Sequence, residues 1–318
     1  MLATIPIIIG PTGVGKTSLA ILLAVRSPIP IEIVSLDSVM LYKELNIGAA
    51  KPTLKERRGV PHHLIDVTSV TQPWSLGKVW EQLKMILPSI LERGHLPMLV
   101  GGTMLYYRAL IDGLSKLPAT TSAVKQRLAA ELQTLGTKAL YDKLRQVDSI
   151  TAQYIDPNNP ARIMRALAVF EQTGRPLSLW QQECPPEHLP YQWSTLIIND
   201  PITSIRQRIA IRMQQMLEQG WLEETTALYQ QFAPKRPQPL NSVGYRQLWD
   251  YLEGRYDYPS ALQLIAIATG NLAKRQQTWI KSFTHPVTTY YLSSDDPSKP
   301  FNWFKHQLTN YRRLKIRS

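Results

Sequence analysis

The sequence Gly-Pro-Thr-Gly-Val-Gly-Lys-Thr at residues 10–17 constrains the fold more than any other stretch of the chain. An apolar run, Ile5–Ile9, precedes it, and a segment with apolar residues at helical spacing, Leu19–Leu23, follows it. This order of strand, glycine-rich loop and helix is that of a phosphate-binding P-loop. The glycines let the loop turn its N–H groups toward one point, and the helix adds the positive end of its dipole. The sequence therefore predicts a binding site for an oxyanion.

Two side chains of the loop have predicted roles of their own. Lys16 would place a positive charge against the phosphates, and the hydroxyl of Thr17 is the usual ligand of their Mg²⁺ in such loops. Mg²⁺ is therefore the cofactor that we expect. The residues predicted to bind the phosphates are Gly10, Pro11, Thr12, Gly13, Val14, Gly15, Lys16 and Thr17. Because a P-loop does not identify a reaction, the function has to be inferred from the rest of the chain.

The composition is that of an ordinary globular protein with an excess of positive charge. At 318 residues, of which 44% are hydrophobic, the chain is long enough for an α/β core and about one smaller unit. The formal net charge is +12, and residues 191–318 hold 16 basic against 9 acidic residues. This surplus indicates a polyanionic partner such as nucleic acid, although a solvated basic surface explains it about equally well.

The amino terminus and the cysteine content bear on where the protein acts. Met1–Pro11 lacks the basic start and the long apolar run of a signal peptide, and no segment has the length and apolarity of a membrane span. Cys184 is the only cysteine, so neither an internal disulfide nor a cysteine-rich metal site can form. We therefore expect a cytoplasmic protein with no membrane partner.

Four apolar runs predict the strands of a parallel sheet. They are Ile5–Ile9, Ile31–Ser35, Leu96–Val100 and Thr195–Ile198. Helical segments separate the first three runs, which predicts an α/β fold with helices on both faces of the sheet. One of these segments, Ser75–Arg93, contains Pro88, which we expect to kink the helix or to split it in two.

The strand signal disappears between about Leu114 and Pro190. Helical spacing appears instead at Val124–Leu135, Ala139–Gln146 and Ile163–Gln172, and a proline-rich connection ends this region. We therefore predict three parts. They are residues 1–113 as the first part of a P-loop NTPase-like α/β core, 114–190 as an inserted helical domain, and 191–318 as the completion of the core with basic helices.

The second and third predicted strands end in residues that can do chemistry beside the P-loop. Asp37 and Ser38 follow the second strand and Thr103 follows the third, at the edge where parallel α/β sheets bind their ligands. Asp37 is a candidate base or Mg²⁺-linked carboxylate, and a turn or capping aspartate is the alternative. Thr103 offers a hydroxyl after Gly101–Gly102, and those glycines are equally typical of a tight turn.

Two further stretches combine cations with helical patterning. Arg208 and Arg212 lie one turn apart on an amphipathic segment and could bind one diphosphate together, although solvated arginines beside a buried stripe are commoner. The sequence KRQQTW, Lys274–Trp279, could hold the backbone and a base of a nucleic acid. A helix anchored by one buried Trp is the alternative.

Together these stretches resemble the tRNA dimethylallyltransferases, also called tRNA isopentenyltransferases. The matching segments follow the family's order from residue 10 to residue 279: GPTGVGKT, DSVMLYKELNIGAAKP, PHHLID, LVGGTMLYYRAL, ARIMRALAVFEQTGRP, NSVGYRQLWDYLEG and LAKRQQTW. The resemblance implies transfer of a dimethylallyl group from its diphosphate to the exocyclic amine of the adenine immediately 3′ of the anticodon. The P-loop would then hold the leaving diphosphate and not an ATP for hydrolysis.

The resemblance also implies the partners and the roles of individual residues. Asp37 would be the general base toward the adenine amine, Thr103 would lie beside that adenine, and Lys16 and Arg212 would stabilise the diphosphate. The adenine would have to leave the base stack to reach the crevice. The partners implied are the tRNA anticodon stem-loop and dimethylallyl diphosphate, and we expect the enzyme to be a monomer.

By the same resemblance, tRNA is contacted by four segments of the chain together with Thr103 and Lys125, the latter in the helical part that would grip the anticodon stem. The residues concerned are Asp37, Ser38, Val39, Met40, Thr103, Lys125, Ala161, Arg162, Ile163, Met164, Arg165, Asn241, Ser242, Val243, Gly244, Tyr245, Arg246, Lys274, Arg275, Gln276, Gln277, Thr278, Trp279, Ile280 and Lys281.

Three positions depart from the family pattern. Many members have glutamine in place of Met40 and threonine in place of Ala49, and members commonly carry an arginine where this chain has Gly270. The last change removes a cation. His62 and His63 fit the pattern, and we interpret them as structural hydrogen-bonding groups because no other ligands at metal spacing accompany them.

Two functions from other classes compete with this interpretation. A small-molecule kinase of the P-loop type would explain the loop and the arginines, but it leaves KRQQTW and the net charge of +12 without a role. A nucleic-acid-binding protein with a nucleotide switch would leave Asp37 without a role.

Overall fold

The computed structural model describes residues 2–315, and in this range six strands form one sheet. In chain order the strands are β1 (Thr4–Ile9), β2 (Ile31–Leu36), β3 (His62–His63), β4 (Leu96–Gly101), β5 (Gln192–Asn199) and β6 (Thr288–Tyr291). They pair in the order β3-β2-β4-β1-β5-β6, and every pairing is parallel. The predicted parallel sheet and its four strands are confirmed, and two short edge strands are added.

Helices fill most of the remaining chain. They are α1 (Lys16–Val25), α2 (Leu54–Arg57), α3 (Leu76–Glu92), α4 (Met104–Asp112), α5 (Ser122–Val147), α6 (Ser149–Tyr154), α7 (Pro160–Thr173), α8 (Leu177–Glu183), α9 (Ile202–Glu218), α10 (Trp221–Phe232), α11 (Tyr245–Leu252), α12 (Tyr258–Lys281) and α13 (Lys299–Lys315). A 3₁₀ helix, Gln238–Asn241, precedes α11.

The expected split at Pro88 is wrong, since α3 runs through this residue as one helix. The helix begins where the hydroxyl of Ser75 accepts a hydrogen bond from the N–H of Lys78, at 3.3 Å. Buried apolar residues lie on both sides of the proline, at Leu87 and Ile90. Their packing holds the helix together across a residue that cannot donate a backbone hydrogen bond.

One face of the sheet packs against α1 and α13. Ile8, Ile33 and Val100 of the sheet join Leu23 of α1 and Trp303 of α13 in a single buried cluster. Full burial of a large apolar side chain contributes about 1.5–3 kcal/mol, so these contacts fix the strands as a rigid platform. The residues that follow the strands are therefore held in defined positions.

The carboxyl ends of the parallel strands lie at one edge of the sheet. Ile9 of β1 and Leu36 of β2 are both in register with Gly101 of β4. The segments that leave these strand ends therefore start side by side. They are the P-loop after β1, Asp37 after β2 and Gly102–Thr103 after β4.

The chain divides into two compact units. The first, which contains the sheet, is formed by the chain up to Ile111 and from Leu189 onward, and the second is Asp112–His188. Residues 316–318 of the predicted third part lie outside the described residues. Among the helices of residues 2–315, none combines the length and the apolarity needed to cross a bilayer.

The second unit is helical and has a core of its own. Leu128 and Leu140 of α5 are buried with Ile163 and Leu167 of α7. Gly136 interrupts α5 with a φ of 79° and a ψ of 170°, so the element consists of two helices that meet at this residue. The sequence predicted these two helices from separate apolar patterns.

Candidate active site

A cavity of about 460 Å³ lies at the carboxyl edge of the sheet. The predicted site residues among those that line it are Thr12, Gly13, Lys16, Thr17, Asp37, Ser38, Val39, Met40, Thr103, Arg212, Ser242, Val243, Arg275, Gln276 and Trp279. They come from the P-loop, the turns after β2 and β4, α9, the turn before α11, and α12. The sheet edge therefore brings most of the predicted chemistry to one cavity.

The other predicted residues of this unit do not belong to the cavity lining. They are Gly10, Pro11, Val14, Gly15, Arg208, Asn241, Gly244, Tyr245, Arg246, Lys274, Gln277, Thr278, Ile280 and Lys281. Several of them lie behind the lining residues and hold those residues in place. Gly10, for example, lies so close to β5 that a Cβ atom would be 2.1 Å from the carbonyl oxygen of Ile198. A side chain here would push the P-loop off the sheet.

Lys16 begins α1, directly after Gly15, which has a left-handed φ of 83°. Its Nζ donates a hydrogen bond to the carbonyl oxygen of Pro11 at 2.8 Å, so it is folded back over the loop. Burial lowers the pKa of Lys16 to about 8, while the negative charge of Asp37 raises it and the positive charge of Arg212 lowers it. The lysine therefore carries a charge that a diphosphate would stabilise.

Asp37 acts in a turn and also faces the cavity. Its Oδ1 accepts hydrogen bonds from the N–H groups of Val39, at 2.8 Å, and of Met40, at 3.3 Å. Within residues 2–315, both of these bonds go to Oδ1, and none goes to Oδ2. Asp37 thus has the turn-capping role that we gave as the alternative in the sequence analysis. This role uses Oδ1 and leaves Oδ2 for a substrate.

Thr103 joins the ends of β2 and β4. Its hydroxyl oxygen accepts a hydrogen bond from the N–H of Ser38 at 3.0 Å and donates one to the Ser38 hydroxyl at 3.3 Å. The N–H of Thr103 donates to the carbonyl oxygen of Leu36 at 3.1 Å. These bonds fix the turn that carries Asp37.

The two arginines of α9 have different surroundings. Arg212 lines the cavity, where burial lowers its pKa and the charge of Asp37 opposes this shift. Arg208 forms an ion pair with the buried Asp200 at 2.5 Å. The structure therefore brings Arg212 to the P-loop cavity, while Arg208 holds the carboxylate that follows β5.

The residues of α12 alternate between exposed and buried positions because a helix turns once every 3.6 residues. Lys274, Arg275, Thr278 and Lys281 are exposed, whereas Gln276 and Ile280 are buried and Gln277 and Trp279 are half-buried. The side-chain amide of Gln277 donates to Asn199 Oδ1 and to the carbonyl oxygen of Asp200, both at 2.8 Å. The segment of α12 that we predict to contact tRNA thus has one exposed face. Polar residues on its other face form hydrogen bonds within the protein.

The segment before α11 shows the same division. Asn241 and Arg246 are exposed, and Ser242 and Val243 line the cavity. Tyr245 is fully buried, and burial together with the nearby charge of Glu224 raises its pKa. Tyr245 therefore stabilises the interior of the protein.

Sequence reasoning did not identify Glu224 of α10. Its carboxylate accepts hydrogen bonds from the N–H groups of Asn46, Ile47 and Gly48, at 3.0, 2.9 and 3.2 Å, and from the Tyr245 hydroxyl at 2.5 Å. Gly48 lines the cavity. Glu224 therefore fixes part of the cavity wall, although no motif surrounds it in the sequence.

Both histidines of the PHHLID segment make hydrogen bonds inside the protein. His62 Nδ1 lies 2.8 Å from the carbonyl oxygen of Val60, and burial lowers the pKa of this ring. His63 Nε2 lies 2.5 Å from Glu32. These contacts agree with the structural role that we inferred for them.

Candidate metal ligands in the cavity are few. Within residues 2–315 there is no cluster of three or more His, Cys, Asp or Glu residues spaced to hold a metal ion. The Thr17 hydroxyl and the Asp37 carboxylate both line the cavity and are oxygen donors, which is the ligand type that Mg²⁺ prefers. A metal ion here would need further oxygens from the substrate or from water.

The predicted tRNA contacts of the helical unit are mostly exposed. Lys125 lies on the open surface of α5, and Arg162 and Arg165 are exposed on α7. Ile163 is completely buried in the core of this unit and Met164 is partly buried. The exposed cations can meet a polyanion, while Ile163 stabilises the helix that carries two of them.

Comparison with known proteins gives consistent matches. A family model described as IPP transferase matches residues 40–283. The tRNA dimethylallyltransferase of Polynucleobacter asymbioticus is 40% identical over 291 residues, which cover 87% of this chain and 86% of that protein. The tRNA dimethylallyltransferase of Neisseria meningitidis is 39% identical over 277 residues, covering 86% of this chain and 88% of the relative.

Solved structures are similar over nearly the whole chain. The full-length tRNA isopentenylpyrophosphate transferase of Bacillus halodurans has a TM-score of 0.71 and 31% identity, covering 99% of this chain and 100% of that one. A eukaryotic dimethylallyltransferase acting on tRNA has a TM-score of 0.71 and 25% identity, covering 87% of this chain and 70% of its own. These matches confirm the P-loop NTPase-like α/β fold predicted from the sequence.

Proposed function

The chain belongs to the IPP transferase family, and from this membership we propose how its residues transfer a dimethylallyl group from dimethylallyl diphosphate to tRNA. The observation that carries the proposal is the single cavity that contains both an anion site, with Lys16 and Arg212, and the carboxylate of Asp37. A transferase of this kind needs an anion site for the group that leaves the reacting carbon and a base near the nitrogen that attacks it.

The P-loop, Lys16 and Arg212 bind the diphosphate of the donor. As the bond between the allylic carbon and the diphosphate oxygen breaks, the carbon gains carbocation character and negative charge builds on the diphosphate. Cations already in place stabilise this charge more in the transition state than in the ground state, which lowers the barrier. Arg212 is the arginine of α9 that takes part, because Arg208 is paired with Asp200.

Asp37 accepts the proton of the acceptor. The exocyclic nitrogen of an adenine attacks the allylic carbon, the new carbon–nitrogen bond forms, and one N–H proton passes to Asp37. The lone pair of that nitrogen is delocalised into the ring, so removal of the proton as the bond forms makes it a better nucleophile. Oδ1 of Asp37 holds the turn through Val39 and Met40, which leaves Oδ2 for the proton.

Mg²⁺ fits the donor set of the cavity. The Thr17 hydroxyl would be its protein ligand, and the diphosphate and water would complete the six oxygens that this ion requires. When bound, Mg²⁺ would neutralise part of the charge on the leaving group. A site with few protein ligands is typical of ions that enter together with a phosphate substrate.

The exposed cations bind tRNA. Lys274, Arg275 and Lys281 on α12 and Arg246 on α11 would contact phosphates in the sheet-containing unit, and Lys125, Arg162 and Arg165 would do so in the helical unit. The net charge of +12 supports a polyanionic partner. The target adenine, which we propose to be the one immediately 3′ of the anticodon, would leave its stack to enter the cavity. With tRNA as substrate and one cysteine, we propose that the protein acts in the cytoplasm.

A transfer assay tests the proposed function. The protein is incubated with radiolabelled dimethylallyl diphosphate, Mg²⁺ and unmodified tRNA, and a parallel reaction contains a tRNA whose adenine 3′ of the anticodon is replaced by guanine. We expect label on the first tRNA only. Label on both would contradict the target position. Phosphate release from ATP alone, without label transfer, would favour a kinase.

A further inference from the structure

We propose that Gln276 is a positioning residue that fixes the P-loop relative to the turn after β4, so that binding of the donor diphosphate depends on a side chain of α12. The inference rests on the proposed function, because it concerns the same donor site. It differs from a role for Gln276 in contacting tRNA, which the resemblance alone implied.

Both ends of the Gln276 amide are occupied by backbone groups of the site. Its Oε1 accepts a hydrogen bond from the N–H of Thr12 at 2.8 Å, and its Nε2 donates one to the carbonyl oxygen of Gly102 at 2.7 Å. The residue is 9% exposed. A donor paired with a carbonyl and an acceptor paired with an N–H determine one orientation of the amide. Gln276 therefore joins two loops that are far apart in sequence.

The bridge connects the donor side of the cavity to the acceptor side. Thr12 belongs to the P-loop, and Gly102 precedes Thr103, whose hydroxyl holds the backbone of Ser38 beside Asp37. A continuous path of hydrogen bonds and peptide units thus runs from the loop that would hold the diphosphate to the turn that carries the base. A displacement of Gln276 would loosen both ends of this path.

Close packing shows that the bridge adjoins the P-loop lysine. A Cβ atom on Gly102 would lie 2.8 Å from Gln276 Nε2 and 3.5 Å from Lys16 Nζ. The amide and the ammonium group therefore border the same small space, which Gly102 leaves open. Because Lys16 would bind the diphosphate, the position of Gln276 bears directly on the donor site.

The position of Gln276 on α12 separates its role from that of its neighbours. Ala273, Gln276 and Ile280 form the buried face of the helix, and Lys274 and Thr278 are exposed. Phosphates of an RNA on the exposed face would therefore not contact the Gln276 amide, whose oxygen and nitrogen are already paired with backbone groups. Gln276 acts on catalysis through the P-loop.

Loss of the amide would leave two buried backbone groups without partners. Gln276→Met keeps nearly the same volume but offers neither a strong donor nor a strong acceptor to Gly102 and Thr12. Unpaired buried groups destabilise the arrangement they belong to, here the seat of the diphosphate. We expect the KM for dimethylallyl diphosphate to rise about tenfold, and the KM for tRNA to change less than about twofold.

Gln276→Glu is the second variant. It keeps an oxygen that accepts from the Thr12 N–H, but it replaces the donor to Gly102 with an acceptor and adds a negative charge close to Lys16. We expect a higher KM for dimethylallyl diphosphate, because the carbonyl oxygen of Gly102 loses its donor and now faces a carboxylate. A role that was only structural would not confine the rise to the KM of the donor.

The experiment measures both KM values by label transfer for the wild type, Gln276→Met, Gln276→Glu and Gln307→Met. Gln307 is a buried glutamine of α13 whose amide donates to the carbonyl oxygen of Trp303 at 3.3 Å, away from the cavity. This control measures the effect of losing a buried amide elsewhere, and we expect it to leave both KM values unchanged. Urea unfolding of each variant separates misfolded from folded protein.

The outcomes distinguish the inference from its premise. A rise confined to the donor KM in Gln276→Met supports the bridge, and if that variant does not fold, Gln276→Glu decides. A rise confined to the tRNA KM, or an unchanged donor KM in a folded variant, would overturn the inference. Absence of transfer by the wild-type protein would instead contradict the proposed function.

Discussion

Strand β2 places a carboxylate near each of its ends, and the two are treated in opposite ways. At the amino end, Glu32 is only 3% exposed and is paired with Arg93, His63 and His95 at 2.5 to 2.8 Å. At the carboxyl end, Asp37 is held by two backbone N–H groups and lines a cavity. Glu32 is thus fully paired within the protein, whereas Asp37 can still bind a ligand from the cavity.

The charges around the two carboxylates are also compensated to different extents. Hydrogen bonds from Arg93, His63 and His95 outweigh burial and hold the pKa of Glu32 down to about 2. Near Asp37, burial lowers the pKa of Lys16 to about 8, so its charge is only partly compensated. A compensated cluster stabilises the fold, while an uncompensated charge in a cavity is available to a ligand. We therefore expect ligand binding and catalysis at the carboxyl edge of the sheet.

The largest effect on turnover is expected for Asp37→Asn. Asparagine retains an oxygen that can accept from Val39 and Met40, so the turn survives, but it cannot take up the acceptor proton. We expect kcat to fall about 10²-fold or more, since general-base catalysis is worth about that factor, with little change in tRNA affinity. Label transfer and tRNA filter binding measure the two quantities. Normal turnover in a folded variant would remove Asp37 from the mechanism.

The pH dependence of the donor step is the next largest effect. A diphosphate binds the protonated form of Lys16, whose pKa in the free protein is about 8. The kcat/KM for dimethylallyl diphosphate should therefore fall as the pH rises above about 8, by roughly tenfold per pH unit. Lys16→Arg provides the comparison, because a guanidinium group stays charged in this range. If that variant shows the same fall, another group titrates.

A smaller effect, on tRNA binding, is expected for Glu224→Gln. The amide puts an N–H₂ group against the backbone N–H groups of residues 46–48, which the carboxylate now holds. Glu224 also accepts a hydrogen bond from Tyr245, which adjoins the proposed tRNA contact Arg246. We therefore expect the KM for tRNA to rise about fivefold, as the loss of a charge-assisted hydrogen bond predicts. Glu223→Gln, at the exposed neighbouring residue of α10, is the matched control. Equal effects of the two changes would mean that only surface charge matters.

The sequence predicted those parts of the site that local patterns specify. The P-loop, the four long strands and Asp37 at a strand end follow from glycine spacing and apolar runs, because parallel strands bring their carboxyl ends together. The two-residue β3 and the four-residue β6 have no such signal. They exist because the neighbouring strand offers a row of unpaired backbone groups.

Long-range contacts account for what the sequence did not predict. Gln276 lies 264 residues from Thr12, and nothing in KRQQTW indicates that its amide pairs with the P-loop. The spacing of Arg208 and Arg212 placed them on the same face of α9, but only the fold brings Asp200 to Arg208. Helical periodicity could have separated Gln276 and Ile280 from Lys274 and Lys281, since a run of consecutive residues cannot all face one partner.

The smallest effect on turnover, and the sharpest test of the contrast between the two carboxylates, is expected for Glu32→Gln. The folded-state pKa of Glu32 is about 2, against an ordinary value of 4.5 for a glutamate carboxyl group. Its contribution to stability is therefore fully present above about pH 4.5 and is lost as the pH falls toward 2. At neutral pH this shift corresponds to about 3 kcal/mol of unfolding free energy.

Glu32→Gln should remove most of that stability at pH 7 and much less at pH 3, while kcat at 25 °C stays within about twofold of the wild type because the folded active site is unchanged. Urea unfolding at both pH values measures the difference. Glu81→Gln, which breaks an exposed pair with Lys84 on α3, serves as the control, because such pairs contribute about 0–1 kcal/mol. If Glu32→Gln lowered turnover as strongly as Asp37→Asn in a folded protein, the two ends of β2 would share the chemistry, and the assignment of one end to stability and the other to catalysis would be wrong.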